Sequence, residues 1–340
     1  MTDSAEILIV GAGLSGLVAA AALGKNHSVR LIEKGRGVGG RMATRRIGEA
    51  TFDHGAQFFT THTSAFAKIV ADWVEAGFAT PWFSGGIGAA GGIESSGIAE
   101  REAHSRFRGR VSMNDIAKNL ASAMQSDAVQ ILSSTRASSV VPADSGWVLL
   151  ADTGQEFFGD VVFLTSPVPQ TLELLNVSGV QLRNADRDAL ESICYDPCLA
   201  VLAPLTGPSG LPFPGARHPG SGPIEWIADN SMKGISAAEG VTIHATAEFS
   251  RQHFDSADSE VIDALVHAAG LDSPAILELC QLQKWRYAKP TVLHPDPYLL
   301  LDAHAPLVCA GDCFGGAKVE GAVLSGLAAA AAVEQILQAR

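Results

Sequence analysis

The sequence predicts an α/β protein of two domains, in which a mostly parallel sheet is interrupted by a three-stranded antiparallel meander and by a second, antiparallel-sheet domain. Three observations carry this prediction. The chain opens with a strand, a helix and a strand, a run of short strands separated by turn residues follows, and an apolar strand with a long helix closes it. At 340 residues the chain exceeds what one hydrophobic core normally fills, which favours two domains.

The first elements form a β-α-β unit. Glu6–Val10 is a short apolar run, Leu14–Leu23 has the length and alanine content of a helix, and Val29–Glu33 is apolar again. Residues 34–62 are rich in Gly and Arg and then in aromatics, so we expect an irregular loop there. A helix is expected at Phe66–Ala76.

The middle of the chain alternates apolar runs with turn signals such as Asp-Ser-Gly and Asp-Thr-Gly. We expect a helix and then five strands, at Asn114–Gln125, Ala128–Leu132, Arg136–Pro142, Gly146–Ala151, Gln155–Phe158 and Asp160–Thr165. The three strands between residues 136 and 158 are interpreted as a β-meander that crosses over between strands of the parallel sheet.

Proline-rich turns then mark a change of character. The remaining expected elements are strands at Cys198–Leu205, Ile224–Ala228, Val241–Phe249, Leu282–Tyr287 and Pro306–Gly311, and helices at Ser259–Ala269 and Glu320–Leu337. Leu277–Tyr287 is expected to lead back to the first domain. We therefore expect a discontinuous first domain of residues 1–62, 105–166 and 276–340, and a second domain of residues 63–104 and 167–275.

Composition excludes several classes of function. The formal net charge is −12, and only 18% of the residues are charged. An acidic chain argues against nucleic acid or an anionic membrane as the main partner, because both select clustered Lys and Arg. Five cysteines without a C-x-x-C pair argue against a zinc site or a disulfide scaffold.

The N-terminal residues run directly into an apolar strand without a basic segment or cleavage signal, so a cytoplasmic location is expected. No membrane span is expected, because the most apolar stretch, Gly321–Val333, is rich in Gly, Ala and Ser and is interpreted as a tightly packed internal helix. The sequence carries no signal of oligomeric state.

A dinucleotide-binding fingerprint follows the first strand. Gly11-Ala12-Gly13-Leu14-Ser15-Gly16 matches G-x-G-x-x-G between a strand and a helix, and Glu33 ends the next strand. Gly11 permits the tight turn, Gly13 lets the backbone approach a pyrophosphate, and Gly16 lets the helix pack on the strand. Glu33 is expected to accept a hydrogen bond from a ribose hydroxyl, which disfavours a 2′-phosphate. This predicts a Rossmann-type domain.

Two further segments favour FAD over NAD. Arg36-Gly37-Val38-Gly39-Gly40-Arg41 is a second glycine loop with two guanidinium groups, which can neutralise a pyrophosphate. Near the C-terminus, Gly311-Asp312 follows an apolar run, and Val319-Glu320-Gly321 opens the last helix, whose N-terminus can face another part of the same cofactor. Asp312 is either an ordinary turn aspartate or a hydrogen-bonding partner of the flavin's sugar-alcohol chain.

These three segments, in this order, resemble the FAD-dependent amine oxidase superfamily, and more closely the renalase-like flavoproteins. Further matching stretches span nearly the whole chain: Asp53–Thr60, Glu225–Ala228 with Asn230 and Lys233, His244–Thr246, Ser250–Gln252, Lys284–Ala288 and Val319–Ser325. The resemblance implies a two-domain flavin fold and non-covalent FAD. For bacterial renalase-like enzymes it implies oxidation of mis-reduced dihydronicotinamide dinucleotides, the 2- or 6-dihydro isomers, with O2 as the acceptor and H2O2 as the product.

The resemblance also implies FAD contacts for Leu14, Arg41, Gln57, Phe58, Val140 and Asp312. Together with the motif residues, the expected FAD-binding set is Gly11, Gly13, Leu14, Ser15, Gly16, Glu33, Lys34, Arg36, Gly40, Arg41, Met42, Gln57, Phe58, Val140, Gly311, Asp312, Val319, Glu320 and Gly321.

Aromatic rings are the expected substrate-side residues, because hydride transfer to a flavin is carried by the cofactor and the protein supplies position and electrostatics. The candidates are Phe58, Phe59, Trp226, Trp285 and Tyr287, with His54 and His244 as possible ligand contacts. In the strand that contains them, Trp285 and Tyr287 fall on one face and Lys284 and Arg286 on the other. If the aromatic face meets the flavin, Lys284 is not a flavin-contacting lysine.

Three functions stay open at this point: an oxidase of a dihydronicotinamide dinucleotide, an amine oxidase, and a flavin-binding redox sensor without catalysis. Two departures from the family bear on the pocket. Gly85–Gly97 carries six glycines in thirteen residues, interpreted as a flexible surface loop rather than a ligand cradle. Cys313 stands where the renalase-like chains tend to have tryptophan, and we expect a buried, inert thiol rather than a covalent flavin link.

Overall fold

A computed structural model describes residues 3–94, 105–271 and 279–339. The chain divides into two compact units. Unit one comprises residues 1–40, 117–194 and 290–340, and unit two comprises residues 41–116 and 195–289.

In chain order, the strands of the described residues are β1 (Asp3–Ser4), β2 (Ile7–Val10), β3 (Val29–Ile32), β4 (Thr44–Ile47), β5 (Ala50–Asp53), β6 (Ala79–Ser84), β7 (Gly86–Ile87), β8 (Ile93–Glu94), β9 (Ser105–Gly109), β10 (Val129–Leu132), β11 (Ala137–Ala143), β12 (Gly146–Ala151), β13 (Glu156–Gly159), β14 (Val161–Leu164), β15 (Cys194–Pro204), β16 (Ala216–Arg217), β17 (Ile224–Asp229), β18 (Gly240–Ala245), β19 (Gln281–Val292), β20 (Leu299–Leu301) and β21 (Leu307–Cys309). The helices are α1 (Leu14–Leu23), α2 (Ser64–Glu75), α3 (Met113–Met124), α4 (Val168–Val177), α5 (Asn184–Glu191), α6 (Ala247–Gln252), α7 (Asp258–Ala269) and α8 (Lys318–Gln338), with a 3-10 turn at Gly40–Met42.

Unit one is built on a six-stranded sheet of order β10-β3-β2-β14-β21-β20, in which only β20 runs antiparallel to its neighbour. The central strands are almost uniformly apolar and buried, as expected for a parallel sheet covered on both faces. A second sheet of order β1-β13-β12-β11 contains the predicted meander, and β1 extends it in parallel. The α/β fold with a Rossmann-type sheet and a meander is thus confirmed.

Helices α1 and α8 pack against each other through small residues. A Cβ atom added to Gly326 of α8 would lie 2.3 Å from the Ser15 carbonyl oxygen of α1, so only glycine permits this approach. Among the described residues, α8 is long and apolar enough to cross a membrane, but half of that apolar window is buried inside the protein. Such burial is typical of a core helix.

Unit two is built on an antiparallel sheet of order β16-β17-β18-β15-β19, as the strand pattern predicts. One cluster of its core joins Val201, Ile227 and Ile243 of the sheet to Leu265 of α7, and all four side chains are almost completely buried. This burial of apolar area is the main stabilising contribution to the sheet.

The structure differs from the sequence-based elements in several places. The strand expected at Val241–Phe249 ends at Ala245, and helix α6 begins at Ala247. Residues 34–62 are not wholly irregular, because β4 and β5 form a hairpin there, with Gly48 in the left-handed region at φ 58°. Helices α4 and α5 follow β14 where no helix was expected, and α4 begins after Pro167, a residue suited to a helix start. The glycine-rich segment forms the short hairpin β7–β8 up to residue 94, and its last three residues lie outside the described ranges.

The boundaries of the units also differ from the expected domains of 1–62, 105–166 and 276–340 against 63–104 and 167–275. The β4–β5 hairpin falls in unit two, where β5 packs against β18, and α4 falls in unit one, where it packs against β11. Strand β19 belongs to the antiparallel sheet through most of its length. Hydrogen bonding and packing of distant segments, rather than composition along the chain, decide these boundaries.

Candidate functional site

The three fingerprint glycines have different surroundings. Gly11 has φ +105°, and a Cβ atom there would lie 2.7 Å from Thr165 Oγ1. A Cβ atom at Gly16 would lie 2.1 Å from the Gly11 carbonyl oxygen. Gly13 faces open space, with nothing within 4 Å of its added Cβ atom. Gly11 and Gly16 are therefore needed to close the turn, and Gly13 leaves room for a ligand close to the backbone.

The N-terminus of α1 is suited to bind an anion. Gly13 is its N-cap and provides no side-chain cap, so the first-turn N–H groups are not satisfied by a capping side chain. The Ser15 hydroxyl is buried and lacks a hydrogen-bond partner within the described residues. A buried hydroxyl and uncapped N–H groups beside an open glycine fit a pyrophosphate group.

Glu33 and the second glycine loop hold the first loop in place. The carboxylate of Glu33 accepts a hydrogen bond from the N–H of Ala12 at 2.8 Å and from the N–H of Gly35 at 2.6 Å. The N–H of Gly39 donates to the Ala12 carbonyl oxygen at 2.8 Å. Each carboxylate oxygen keeps a second lone pair, so the expected bond to a ribose hydroxyl is compatible with this role.

The other candidates of the second loop differ in their surroundings. Lys34 is exposed and donates a hydrogen bond to Gln170 at 2.8 Å, and Arg36 is exposed. A Cβ atom at Gly40 would lie 3.5 Å from the Gly13 Cα atom, so the two glycine loops face each other closely. Gly13 and Gly40 together leave a backbone-lined space that side chains would fill.

The C-terminal candidates lie at the start of α8. The N–H of Gly311 donates to Ser325 Oγ at 2.9 Å, and a Cβ atom at Gly321 would lie 1.6 Å from the Gly316 carbonyl oxygen. The side chains of Leu14, Asp312, Val319 and Glu320 are buried or nearly so. Because Ser325 is next to Gly326, which touches Ser15, this segment and the α1 N-terminus lie together in unit one. The cradle so formed fits FAD.

Val140 is placed differently. Its side chain is fully buried in β11, and its N–H donates to Ser178 Oγ at 2.8 Å. Cys313 is buried as well, as expected.

In unit two, a buried ion pair supports the loop that follows β5. Lys233 Nζ lies 2.8 Å from Asp53 Oδ2, and both side chains are fully buried. The other carboxylate oxygen of Asp53 accepts hydrogen bonds from Thr44 Oγ1 at 2.6 Å and from the N–H of Met113 at 3.0 Å. Burial lowers the pKa of Lys233, and Asp53 opposes that shift. No role was expected for Asp53 or Lys233 from the sequence, although both lie in stretches that match the family.

Two histidines and a tryptophan meet at one carbonyl. The His54 carbonyl oxygen accepts hydrogen bonds from Trp285 Nε1 at 2.8 Å and from His244 Nε2 at 3.2 Å. The rings of His54 and Trp285 are stacked with centroids 5.4 Å apart. Burial is the main reason that the pKa of each histidine is lowered to about 4, so both imidazoles are neutral at neutral pH.

The predicted aromatic residues fall into separate groups. Phe58 contacts Trp226, with ring centroids 5.3 Å apart, and Trp82 and Phe83 complete this cluster. Tyr287 contacts Tyr195 at 5.8 Å. Phe59 belongs to another group, stacked on Phe107. Among the ring contacts of the described residues, Phe58, Trp285 and Tyr287 therefore do not form one continuous wall.

The predicted alternation along β19 agrees with its contacts. Lys284 Nζ donates to the Phe254 and Ser256 carbonyl oxygens at 3.0 Å each, and the Arg286 guanidinium lies over the Phe254 ring. Both cations thus reach one segment, whereas Trp285 reaches His54. Lys284 is engaged on the side of the strand away from the His54 loop.

The remaining candidates of unit two are Arg41, Met42 and Gln57. Arg41 Nη1 donates to the carbonyl oxygens of Tyr287 at 3.4 Å and Ala288 at 3.2 Å. Met42 is buried. Gln57 Nε2 donates to the carbonyl oxygens of Asp53 at 2.6 Å and Gly55 at 3.1 Å. The amide of Gln57 is therefore held in one orientation.

Known proteins resemble this chain over nearly its full length. Renalase from the mouse, Mus musculus, is 26% identical over 95% of this chain and 96% of its own length. The chain is therefore similar to renalase over nearly its whole length. Residues 9–73 match the NAD(P)-binding Rossmann-like domain family.

Two solved structures share the fold. A redesigned variant of putrescine oxidase has a TM-score of 0.71 at 16% identity, covering 98% of this chain and 100% of its own. An oxidoreductase from Methanosarcina mazei has a TM-score of 0.64 at 13% identity, covering 95% and 99%. The resemblance and the fold expected from the sequence are confirmed, and the similarity to renalase agrees with the expected FAD-dependent oxidoreductase.

Proposed function

We propose that the protein oxidises a mis-reduced dihydronicotinamide dinucleotide, the 2- or 6-dihydro isomer, to NAD. When bound, FAD would supply the two-electron redox chemistry that couples this oxidation to the reduction of O2. The balanced reaction consumes the dihydro isomer, O2 and one proton and yields NAD and H2O2. The homology to renalase over 95% of the chain supports this substrate class.

The observation that carries the proposal is that neither histidine of the candidate site in unit two is placed as a base, because His244 donates to the His54 carbonyl oxygen and the His54 ring is stacked on Trp285. His54 and His244 have a pKa of about 4, and Lys284 is bound to carbonyl oxygens of residues 254 and 256. A dihydropyridine needs no base, because it carries the hydride and a ring nitrogen lone pair that pushes it out. An amine, in contrast, reacts only after its ammonium form has lost a proton. A site without a poised base suits the first substrate better.

The residues of each unit have distinct tasks under this proposal. In unit one, the glycine loops, Glu33 and the N-termini of α1 and α8 hold the cofactor. In unit two, Phe58, which is partly exposed and contacts Trp226, offers an aromatic face to a planar ring. The cytoplasmic location stays a prediction, and it suits a substrate drawn from the cellular dinucleotide pool.

Aerobic turnover tests the proposal. Holoenzyme is mixed separately with the 2-, 4- and 6-dihydro isomers and with a panel of primary and secondary amines, and NAD and H2O2 are quantified. We expect one NAD and one H2O2 per molecule of 2- or 6-dihydro isomer consumed, with far slower consumption of the 4-dihydro form and of amines. Turnover of an amine alone would instead select an amine oxidase, and no turnover of any compound would select a redox sensor.

A further inference from the structure

Two buried polar atoms in unit two lack a hydrogen-bond partner among the described residues: Trp226 Nε1 and Gln57 Oε1. Trp226 is 8% exposed and Gln57 is 6% exposed. Buried polar atoms are almost always paired, because an unmatched one loses its hydration without compensation. Each of these atoms therefore calls for a partner from outside the described residues.

The two atoms have fixed and opposite hydrogen-bonding character. The indole Nε1 of Trp226 can only donate. Gln57 Nε2 faces two carbonyl oxygens, those of Asp53 and Gly55, which can only accept. The other end of the amide is therefore the oxygen, which can only accept. One unmatched donor and one unmatched acceptor result.

The contacts place both atoms in one neighbourhood. Trp226 of β17 is the direct cross-strand partner of His244 of β18, so the two side chains are neighbours on the sheet. His244 bonds to the His54 carbonyl, and Trp226 contacts the Phe58 ring at 5.3 Å. The 54–58 loop, which includes Gln57, is therefore attached at both ends to the same pair of side chains.

We propose that Trp226 and Gln57 form a recognition pair for the carboxamide of the nicotinamide ring. Its carbonyl oxygen would accept from Trp226 Nε1, and its NH2 group would donate to Gln57 Oε1. This inference rests on the proposed function and names the part of the substrate that the protein recognises. Phe58 and Trp82, which are partly exposed, contact the Trp226 ring and connect it to the surface of unit two.

The pair also distinguishes classes of ligand. A primary carboxamide satisfies both atoms, whereas an alkylamine has no carbonyl oxygen to accept from Trp226. The imide edge of a flavin carries the same two groups and is the other source of this chemistry. Binding of the nicotinamide probes and of FAD must therefore be measured separately.

The test uses oxidised holoenzyme and calorimetric titration with three probes: NAD, its acetylpyridine analogue, which keeps the carbonyl but loses the NH2 group, and its nicotinic acid analogue, which has a carboxylate. Wild-type protein should bind NAD most tightly. Trp226→Phe should weaken NAD and the acetylpyridine analogue equally, by about tenfold. Gln57→Met should weaken NAD by about tenfold and leave the acetylpyridine analogue unchanged. Trp73→Phe, which removes another buried indole of unit two, is the matched control and should change no probe.

Equal weakening of all three probes by both variants, or no weakening, would overturn the inference, since packing alone predicts no selectivity among probes. A lower affinity of Gln57→Met for FAD with unchanged probe selectivity would also overturn it, by assigning that oxygen to the flavin. The proposed function is tested apart from this, by flavin reduction in the wild-type protein. A wild type that oxidises the 2- or 6-dihydro isomer while the variants keep wild-type selectivity would refute the carboxamide pair alone.

Discussion

The Lys233 ammonium nitrogen lies 2.8 Å from Oδ2 of Asp53, with both side chains inaccessible to solvent. This contact joins the end of β5 to the turn after β17, two segments 180 residues apart in the chain. The main-chain carbonyl of Asp53 also accepts from Gln57 Nε2 and Thr242 Oγ1. The ion pair therefore holds the loop that contains His54, Gln57 and Phe58.

Removing one partner of this ion pair should lower the free energy of unfolding strongly. Lys233→Met leaves the Asp53 carboxylate buried without its counter-charge, and we expect a loss of about 3–5 kcal/mol in the free energy of unfolding. Thermal and urea unfolding would measure it. The matched control is Arg251→Met, which breaks a largely exposed pair with Asp196 of the same unit and should cost less than about 1 kcal/mol. The double variant Lys233→Met with Asp53→Asn should recover part of the loss; equal losses for Lys233→Met and the control would contradict the role of the pair.

Acid should destabilise the protein through the buried histidines. Burial lowers the pKa of His54 and of His244 from 6.5 to about 4 in the folded state. The unfolded chain thus binds protons below pH 6.5 that the folded chain binds only near pH 4. The stability that comes from keeping both histidines neutral is therefore complete above pH 6.5. It decreases below pH 6.5 and is lost as the pH falls through about 4.

His244→Gln isolates that contribution, because the amide can still donate to the His54 carbonyl but does not titrate. Relative to this variant, the wild type should lose about 2 kcal/mol of unfolding free energy between neutral pH and mildly acidic pH. Chemical unfolding at a series of pH values measures the difference. Parallel stability curves for the two proteins would show that His244 is not buried in its neutral form.

The glycine fingerprint allows cofactor binding to be separated from folding. Gly13→Ala adds a Cβ atom where nothing lies within 4 Å, so the apoprotein should lose less than about 1 kcal/mol while FAD affinity falls about tenfold. Gly16→Ala places a Cβ atom 2.1 Å from the Gly11 carbonyl oxygen and should lower the melting temperature of the apoprotein itself. Calorimetry and FAD titration measure both quantities. A Gly13→Ala protein with wild-type FAD affinity would refute the assignment of this loop.

Glu33 and Arg41 should both matter for FAD. Glu33→Ala removes an expected ribose acceptor and also the acceptor of two loop N–H groups, so FAD affinity should fall tenfold to a hundredfold, or about 1.5–3 kcal/mol. Arg41→Ala should lower it at least as much. Glu33→Gln keeps one acceptor and should lie between wild type and Glu33→Ala. Wild-type affinity in both alanine variants would count against the FAD assignment of these loops.

Local patterns predicted the opening β-α-β unit and the meander of unit one, because turn residues separate these strands and helices. Helix α1 was predicted at Leu14–Leu23 and is found there, since glycines flank a run of alanine and leucine. The β4–β5 hairpin was missed because Thr44–Ile47 is polar and only partly buried, so it lacks the apolar signal of a strand. Helix α4 was missed although Pro167 and Pro169 suit the start of a helix.

Long-range pairing explains most of what the sequence did not predict about the site. The residue types of the FAD cradle stand within short motifs, so their grouping could be expected. The contact of Asp53 with Lys233 joins segments 180 residues apart, and no spacing rule links them. Likewise, strand alternation predicted that Trp285 and Tyr287 share a face, but not that Trp285 stacks on His54 while Tyr287 packs against Tyr195.

Anaerobic reduction of the flavin by the 2- and 6-dihydro isomers is the most direct measurement of the central claim. Holoenzyme is mixed with each isomer at saturating concentration in a stopped-flow instrument, and bleaching of the oxidised flavin is followed across the neutral pH range. We expect rapid bleaching whose rate is nearly independent of pH, because neither His54 nor His244 titrates in that range. The absence of bleaching, or a rate that rises steeply with pH as for an amine losing its ammonium proton, would contradict the account.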